Sequence, residues 1–158
     1  MKNLHESYLE QAVSEAALGM RKGDGGPFGA LVVIDGKIAG KGHNTVLSDH
    51  DPTAHAEVNA IRAACRSTGL HHLEGAVLYT NFEPCPMCLA AMYWAGIQCF
   101  YYISDRKTAA RAGFMDEHLY SELSRAVEAR ELQAHRIDVA AMDELLKEWD
   151  QKPDKTLY

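Results

Sequence analysis

The chain has 158 residues, of which 47% are hydrophobic and 24% are charged, with a formal net charge of −6 and a pI near 5.7. This length and composition predict one soluble globular domain. The acidic balance disfavours a nucleic acid held mainly through its phosphates, because such a partner needs a basic face. Acidic residues interrupt the N-terminus and no apolar run could span a bilayer, so a cytoplasmic protein is expected.

Apolar spacing and turn residues predict the elements of the first third of the chain. A helix is expected over 4–20, and a glycine-rich loop then leads into a strand over 28–34. Asp35-Gly36 predicts a tight hairpin that returns the chain as a second strand over 38–45. The buried face of the helix is expected to carry Leu9, Val13, Ala16, Ala17 and Met20.

The rest of the chain alternates between strand and helix patterns. Asp51-Pro52 predicts a helix start, because aspartate can cap a helix and proline is tolerated at the first helical position. This helix is expected to end near Gly69 and to bury Ala54, Val58, Ile61 and Cys65. Further strands are predicted over 76–80 and 97–103, and further helices over 86–94, 105–112, 116–130 and 139–150.

These elements predict the fold class. A hairpin followed by alternating strands and helices is typical of an α/β protein, here a three-layer α/β/α sandwich around a mixed central sheet. The strand over 97–103 is apolar at nearly every position, which predicts a centre strand covered on both faces.

One imidazole and two thiols stand at a spacing that favours metal binding. His55 precedes Pro84-Cys85-Pro86-Met87-Cys88 by about thirty residues, and this donor set suits Zn²⁺. Three protein ligands leave one tetrahedral position for water, as in a catalytic zinc site. Glu57, two residues after His55, supplies a carboxylate that could carry the proton of that water.

Other interpretations of these residues remain open at this point. The two cysteines could form a redox pair, although the flanking prolines and the partner histidine disfavour it. A closed structural zinc site would need a fourth ligand from Cys65 or Cys99, which we expect to be small core residues. Glu57 could simply be a first-turn acid that stabilises the helix dipole.

The sequence resembles the cytidine/deoxycytidylate deaminase superfamily, whose zinc nucleobase deaminases carry the same H-x-E…P-C-x-x-C signature. Within it, the set Phe28, Trp94, Asp116 and Tyr158 points to the branch of the bacterial guanine deaminases. The resemblance is carried by Gly25-Gly26-Pro27-Phe28-Gly29-Ala30, Asn44, Asp51-Pro52-Thr53-Ala54-His55-Ala56-Glu57, Glu83-Pro84-Cys85-Pro86-Met87-Cys88, Tyr93-Trp94-Ala95, Ala112-Gly113-Phe114 and Tyr158.

The resemblance implies a cytidine-deaminase-like fold and a Zn²⁺ cofactor held by His55, Cys85 and Cys88. It implies hydrolysis of free guanine to xanthine and ammonia, with Glu57 as proton shuttle and Asp116 as a second acid near the leaving amine. Asp116 has an acidic neighbour, Glu117, and the sequence leaves the choice between them open. The residues implied to contact the base are Phe28, Asn44, Ala56, Trp94 and Tyr158.

The resemblance also implies a homodimer. Its C-terminal segment, about 130–158, would be exchanged between subunits, and Tyr158 would cover the partner's pocket. Phe28 and Trp94 would wall the flat base, although aromatic residues beside strands are also common in cores.

Three other functions are considered. A tRNA adenosine deaminase shares the motif, but residues 138–150 carry five acids against a single lysine, which would repel phosphates. Deamination of cytosine or another small amino-heterocycle stays open, since a few pocket contacts decide specificity. A non-catalytic zinc module that binds a base is disfavoured by Glu57, for which such a module has no need.

Overall fold

The computed structural model describes residues 3–157, which divide into two compact units, with the division in the chain after residue 120. No helix of the described residues is long and apolar enough to cross a membrane. The elements of the first unit are α1 (Leu4–Lys22), β1 (Gly29–Ile34), β2 (Lys37–His43), α2 (Ala56–Thr68), β3 (Val77–Phe82), α3 (Pro86–Trp94), β4 (Cys99–Ser104), α4 (Arg106–Arg111) and the start of α5 (Asp116–Leu123).

The four strands form one mixed sheet in the order β2-β1-β3-β4. Strand β1 is antiparallel to both β2 and β3, whereas β3 and β4 are parallel. Asp35 and Gly36 both have positive φ, of 49° and 72°, as a two-residue type I′ hairpin turn requires, so the predicted hairpin is confirmed. The predicted α/β fold with a mixed sheet is also confirmed.

Strand β4 was predicted at the centre of the sheet, and this is wrong. It pairs only with β3 among the described strands, and Tyr102 and Ile103 are 45% and 52% exposed. A continuous apolar run has the same appearance in a centre strand as in an edge strand with apolar residues on both faces, so the pattern alone could not place it.

Helix α1 covers one face of the sheet, where Tyr8 and Ala12 pack with Leu31, Val33 and Tyr79. Its buried face differs from the predicted one, because Val13 and Met20 are exposed while Ala12 and Gly19 are buried. The small residues allow close approach: a Cβ on Gly29 would lie 2.2 Å from the Ala12 carbonyl oxygen.

Helices α2 and α3 cover the opposite face, which completes the three layers. The core here is formed by strand residues such as Ala30, Val32 and Leu78 against Ala56, Ala60, Ala64 and Met92. A Cβ on Gly40 would lie 2.3 Å from the Ala60 carbonyl oxygen, so β2 and α2 also approach closely. This layer carries the residues with metal-binding chemistry.

Helix α2 does not begin at Asp51-Pro52 as predicted. The Asp51 carboxylate instead accepts hydrogen bonds from the Thr53 amide, at 2.8 Å, and from the Thr53 hydroxyl, at 2.7 Å. This local turn satisfies the side chain that would otherwise cap the helix. The helix therefore begins at Ala56, with His55 as its N-cap residue, and it ends before Gly69 as expected.

The second unit comprises the described residues 121–157. The helix predicted over 116–130 ends at Leu123, and a 3₁₀ turn follows at Val127–Ala129. The predicted last helix is present as α6 (Ala141–Gln151). No described residue of this unit is buried, and the apolar side chains of α6, including Leu145, Leu146 and Trp149, are exposed.

Candidate active site

Three potential metal ligands converge between the starts of α2 and α3. The His55 Nδ1 atom lies 3.5 Å from the Cys85 sulfur and 3.6 Å from the Cys88 sulfur, and the two sulfurs are 3.6 Å apart. With Zn–S bonds of about 2.3 Å and Zn–N bonds of about 2.0 Å, a tetrahedral zinc site has ligand–ligand separations of roughly 3.5–3.8 Å. The three donors are therefore spaced as three corners of such a site.

Two helix starts place these donors. His55 is the N-cap of α2 and has an extended backbone (φ −72°, ψ 155°). Its side chain therefore points in a different direction from that of a residue within the helix. Cys85 is the N-cap of α3, Pro86 is the first helical residue, and Cys88 lies in the first turn. Since helix N-termini carry partial positive charge, both positions favour thiolates.

The two thiols shift each other's pKa in opposite directions. The hydrogen bond with Cys88 is the largest cause that lowers the pKa of Cys85, to about 4, and His55 adds to it. The same hydrogen bond, together with burial, raises the pKa of Cys88. A bound dication would remove this competition, because thiolates bind metals as anions.

The Glu57 carboxyl group is buried beside these donors, with 4% of the residue exposed. It accepts hydrogen bonds from the Thr80 hydroxyl, at 3.3 Å, and from the Cys88 thiol, at 3.4 Å. Burial is the largest cause that raises the pKa of Glu57 above its usual range. A carboxyl group that binds its proton more tightly than usual is suited to general acid–base work near neutral pH.

Thr80 was not recognised in the sequence. It lies in β3, is fully buried and holds one oxygen of Glu57 in place. The available signal was a polar residue in a strand that is otherwise largely apolar.

A small cavity adjoins the ligands and contains both predicted acids. Its lining comprises Phe28, His55, Glu57, Glu83, Cys85 and Asp116. The Phe28 ring is held between Phe114 and Phe82, with ring centroids 4.6 Å and 5.1 Å away. Phe28 therefore forms an aromatic wall of the cavity and also packs against other aromatic residues.

Asp116 rather than Glu117 faces this cavity. Asp116 is the first residue of α5 and is half-buried, whereas Glu117 is exposed. Burial raises the pKa of the Asp116 carboxyl, and the negative charge of Cys85 raises it further. The second acid thus resembles Glu57 in holding its proton more tightly than a surface carboxylate.

Asn44 is buried and its side chain is oriented by main-chain amides. Its Oδ1 atom accepts hydrogen bonds from the amides of Gly26, at 3.3 Å, and Val46, at 3.2 Å. The Nδ2 donor is consequently directed away from these two amides. Ala56 is the first residue of α2 and is fully buried.

Of the five predicted substrate contacts, Phe28 alone lines the cavity among the described residues, and Asn44 and Ala56 do not belong to its lining. Trp94 is 68% exposed at the end of α3, and it lies six residues beyond Cys88, about 9 Å along the helix axis. It does not line the cavity. Tyr158 lies outside the described residues, and all five contacts with the base stay predictions.

No fourth protein ligand is present in the described part of the chain. The group of potential ligands consists of His55, Cys85 and Cys88 alone. Cys65 is half-buried, whereas Cys99 is exposed, so the expectation that Cys99 belongs to the core is wrong. The arrangement is that of an open site and gives no support to a closed structural one.

A network around the ligand loop was also missed by the sequence interpretation. The Glu83 carboxylate accepts a hydrogen bond from the Arg106 amide, at 3.0 Å. The Tyr120 hydroxyl donates to the Pro84 carbonyl oxygen, at 2.8 Å, and the Arg106 guanidinium carbon lies 4.5 Å from the centre of the Tyr120 ring. The only signal in the sequence was the position of Glu83 directly before Pro84-Cys85.

Comparisons with known proteins agree with this geometry. Residues 2–104 match the cytidine and deoxycytidylate deaminase zinc-binding region. The chain is 42% identical to the guanine deaminase of Bacillus subtilis, over 98% of this chain and 99% of that protein. An X-ray structure of guanine deaminase from Bacillus subtilis matches with a TM-score of 0.93 and 41% identity, over 100% of this chain and 99% of that one.

Two further relatives match over a smaller part. The tRNA-specific adenosine deaminase of Aquifex aeolicus is 44% identical over 59% of this chain and 61% of that protein. A structure of guanine deaminase from Nitrosomonas europaea has a TM-score of 0.61 and 28% identity, over 71% of this chain and 63% of that one. The ligand motif, the fold and these similarities together show that the chain belongs to the cytidine and deoxycytidylate deaminase family.

Proposed function

We propose that this protein is a zinc-dependent guanine deaminase, which converts guanine and water to xanthine and ammonia. The observation that carries the choice of guanine is the extent of similarity. The likeness to a guanine deaminase covers 98% of the chain, whereas the likeness to a tRNA-specific adenosine deaminase covers 59%. The acidic C-terminal segment also disfavours an RNA substrate.

His55, Cys85 and Cys88 would hold the zinc ion. When bound, zinc supplies a Lewis acid that lowers the pKa of water towards about 7 and so provides a nucleophile at neutral pH. In the overall reaction a C–O bond forms at C2 of the base and the bond from C2 to the exocyclic nitrogen breaks. Two protons must move from water to nitrogen atoms during these steps.

Glu57 would carry those protons. It takes a proton from the attacking water, delivers it to a ring nitrogen and later protonates the departing amine. Its raised pKa allows it to hold a proton between these steps. The Thr80 hydroxyl keeps one carboxylate oxygen in a fixed position, so that the other remains the acting one.

Asp116 would act on the leaving amine from the same cavity. Asn44 would donate from Nδ2 to the base, which offers O6 and N7 as acceptors. Phe28 would contact the flat face of the base. The main-chain amide of Ala56 would donate to the base, because the N–H groups at a helix start lack partners within the helix. These contacts would orient C2 toward the metal ligands.

We also propose a homodimer with an exchanged C-terminal segment. The described residues 121–157 include none that is buried, and such an exposed apolar surface gains stability by contact with a second subunit. Tyr158 would then close the partner's cavity, and Trp94 would contact the base. Deleting residues 151–158 should therefore weaken guanine turnover.

A mixing experiment tests this exchange. Glu57→Gln protein retains the segment but lacks the proton carrier, while the truncated protein retains Glu57 but lacks the segment. Refolding the two together should restore part of the activity if the segment acts on the partner's site. No gain over the separate proteins, or full activity of the truncated protein alone, would contradict it.

A substrate panel tests the proposed function itself. The purified protein is incubated with guanine, adenine, cytosine, their nucleosides and a tRNA anticodon stem-loop, and ammonia is followed together with bound zinc. Guanine should be the preferred substrate, with xanthine as product. If the protein prefers the stem-loop or cytosine, that compound and not guanine is its substrate. If no compound releases ammonia, the protein is a non-catalytic zinc module that binds a base.

A further inference from the structure

A phenolic hydroxyl ties α5 to the loop that carries two of the proposed metal ligands, Cys85 and Cys88. Tyr120 donates to the main-chain carbonyl of Pro84, at 2.8 Å, and Pro84 directly precedes the ligand Cys85. The Pro84 carbonyl lies in the segment that leads into α3. This segment must keep its position if Cys85 and Cys88 are to bind a metal. The bond therefore links α5 to a fixed part of the site.

Asp116 lies four residues before Tyr120 on the same helix. Residues four apart on a helix lie on one face, one turn from each other. Tyr120 meets the ligand loop at Pro84, and Asp116 meets the cavity one turn earlier. Fixing the hydroxyl of Tyr120 thus fixes the distance between the Asp116 carboxyl and the metal ligands.

Arg106 and Glu83 stabilise the position of the Tyr120 ring. The Arg106 guanidinium stacks over Tyr120, with 4.5 Å from its carbon to the ring centre. The Arg106 amide donates to the Glu83 carboxylate at 3.0 Å, and its guanidinium lies 3.9 Å from the other Glu83 oxygen. Because Glu83 adjoins Pro84, both ends of the network are attached to the ligand loop.

We propose that Tyr120 is a positioning residue that holds Asp116 at the cavity, with Arg106 and Glu83 keeping its ring in place. The inference rests on the proposed function, in which Asp116 acts on the leaving amine. Tyr120 itself does not line the cavity and does not touch the reacting atoms. Its effect on the reaction passes through the placement of Asp116.

The test compares Tyr120→Phe with Tyr8→Phe. The Tyr8 hydroxyl also donates to a main-chain carbonyl, that of Gly36 at 2.7 Å, but on the sheet face covered by α1. Both variants lose one hydroxyl and one hydrogen bond. Tyr120→Phe should lower kcat roughly tenfold with little change in KM, because a small displacement of a catalytic group is costly. Tyr8→Phe should leave kcat unchanged.

A double-mutant cycle identifies the residue through which Tyr120 acts. In an Asp116→Asn background, Tyr120→Phe should cause no further loss of kcat. An equal loss in both backgrounds would overturn the proposal. Arg106→Gln, which leaves the hydroxyl in place, serves as a second variant and should lower kcat by a smaller factor with the same dependence on Asp116.

Hydrogen exchange separates this inference from the proposed function. Amides in the peptide 114–120 should exchange faster in Tyr120→Phe than in the wild type or Tyr8→Phe, whatever the substrate. Unchanged exchange, or faster exchange without a fall in kcat, would overturn the positioning role. Wild-type activity in Asp116→Asn would instead contradict the catalytic role of Asp116. The exchange measurement would still show whether the hydrogen bond from Tyr120 to Pro84 holds α5 in place.

Discussion

The start of α1 differs from the starts of α2 and α3 in how the N-cap side chain is used. At α1, the N-cap Asn3 accepts a hydrogen bond from the helix, and the Glu6 side chain accepts one from the Asn3 amide in return. At α2 and α3, the N-cap residues His55 and Cys85 make no side-chain capping hydrogen bond among the described residues. Their side chains instead face each other and Cys88.

This difference shows where function replaces local stability. Histidine and cysteine are poor capping residues, and a good cap is worth about 0.5–2 kcal/mol of stability. The chain forgoes that stability at two helix starts and keeps donor atoms available for a metal. The first turn of α1 is thus a structural helix start, while those of α2 and α3 form the site.

The largest difference between the two regions should appear when each loses its first-turn acid. Glu57→Gln should retain zinc and fold but lose several orders of magnitude in ammonia release, because the amide cannot carry a proton. The matched control is Glu6→Gln in α1, whose amide oxygen can still accept the capping hydrogen bond. Similar activity in both variants would mean that Glu57 is only a first-turn acid.

Replacing the sulfur at the α3 cap should separate metal binding from capping. Cys85→Ser should weaken zinc binding by at least about 100-fold, since even the loss of outer-shell contacts costs 10- to 100-fold. The metal-free variant should be no less stable than the metal-free wild type, because serine can cap the helix. Zinc content and thermal unfolding measure both, and Cys65→Ser should retain full zinc. Equal zinc binding by Cys85→Ser and the wild type would exclude Cys85 as a ligand.

Asp116 and Glu117, the two adjacent acids at the start of α5, should differ in their effect on catalysis. Asp116→Asn should lower kcat by roughly 100-fold or more and change KM little, as expected for loss of a general acid or base. Glu117→Gln, on the exposed neighbour, should keep wild-type kinetics. Steady-state rates on guanine decide between them, and an effect of Asp116→Asn confined to KM would contradict proton transfer.

The smallest effect should come from the structural helix start. Asn3→Ala removes the α1 cap and should lower the free energy of unfolding by about 1 kcal/mol. Turnover at saturating substrate should not change, because α1 covers the face of the sheet opposite the site. Denaturant unfolding provides the measurement, and a loss of activity without a loss of stability would mean that the two faces are coupled.

Local chemistry made much of this protein predictable from its sequence. The Asp35-Gly36 hairpin depends on the backbone preferences of two residues. The candidate metal ligands could be predicted because two cysteines three residues apart at a helix start bring their sulfurs together, here 3.6 Å apart. The alternation of strands and helices was sufficient to predict the α/β class.

Two kinds of contact decided the rest: a local alternative that competes with a helix cap, and contacts between distant parts of the chain. Asp51 could have capped a helix, but its bonds to Thr53 leave the helix to begin at Ala56. The edge position of β4 and the exposure of Trp94 also depend on which elements neighbour them, and no local pattern records that.

The sequence by itself determined the fold class and the candidates for metal ligands and for a proton carrier, because these depend on residue type and short-range spacing. Only the tertiary structure decided that Asp116 rather than Glu117 faces the cavity, that Thr80 holds Glu57, and that Tyr120 reaches the ligand loop. Each of these depends on the packing of segments that are at least twenty residues apart, which a linear pattern does not encode.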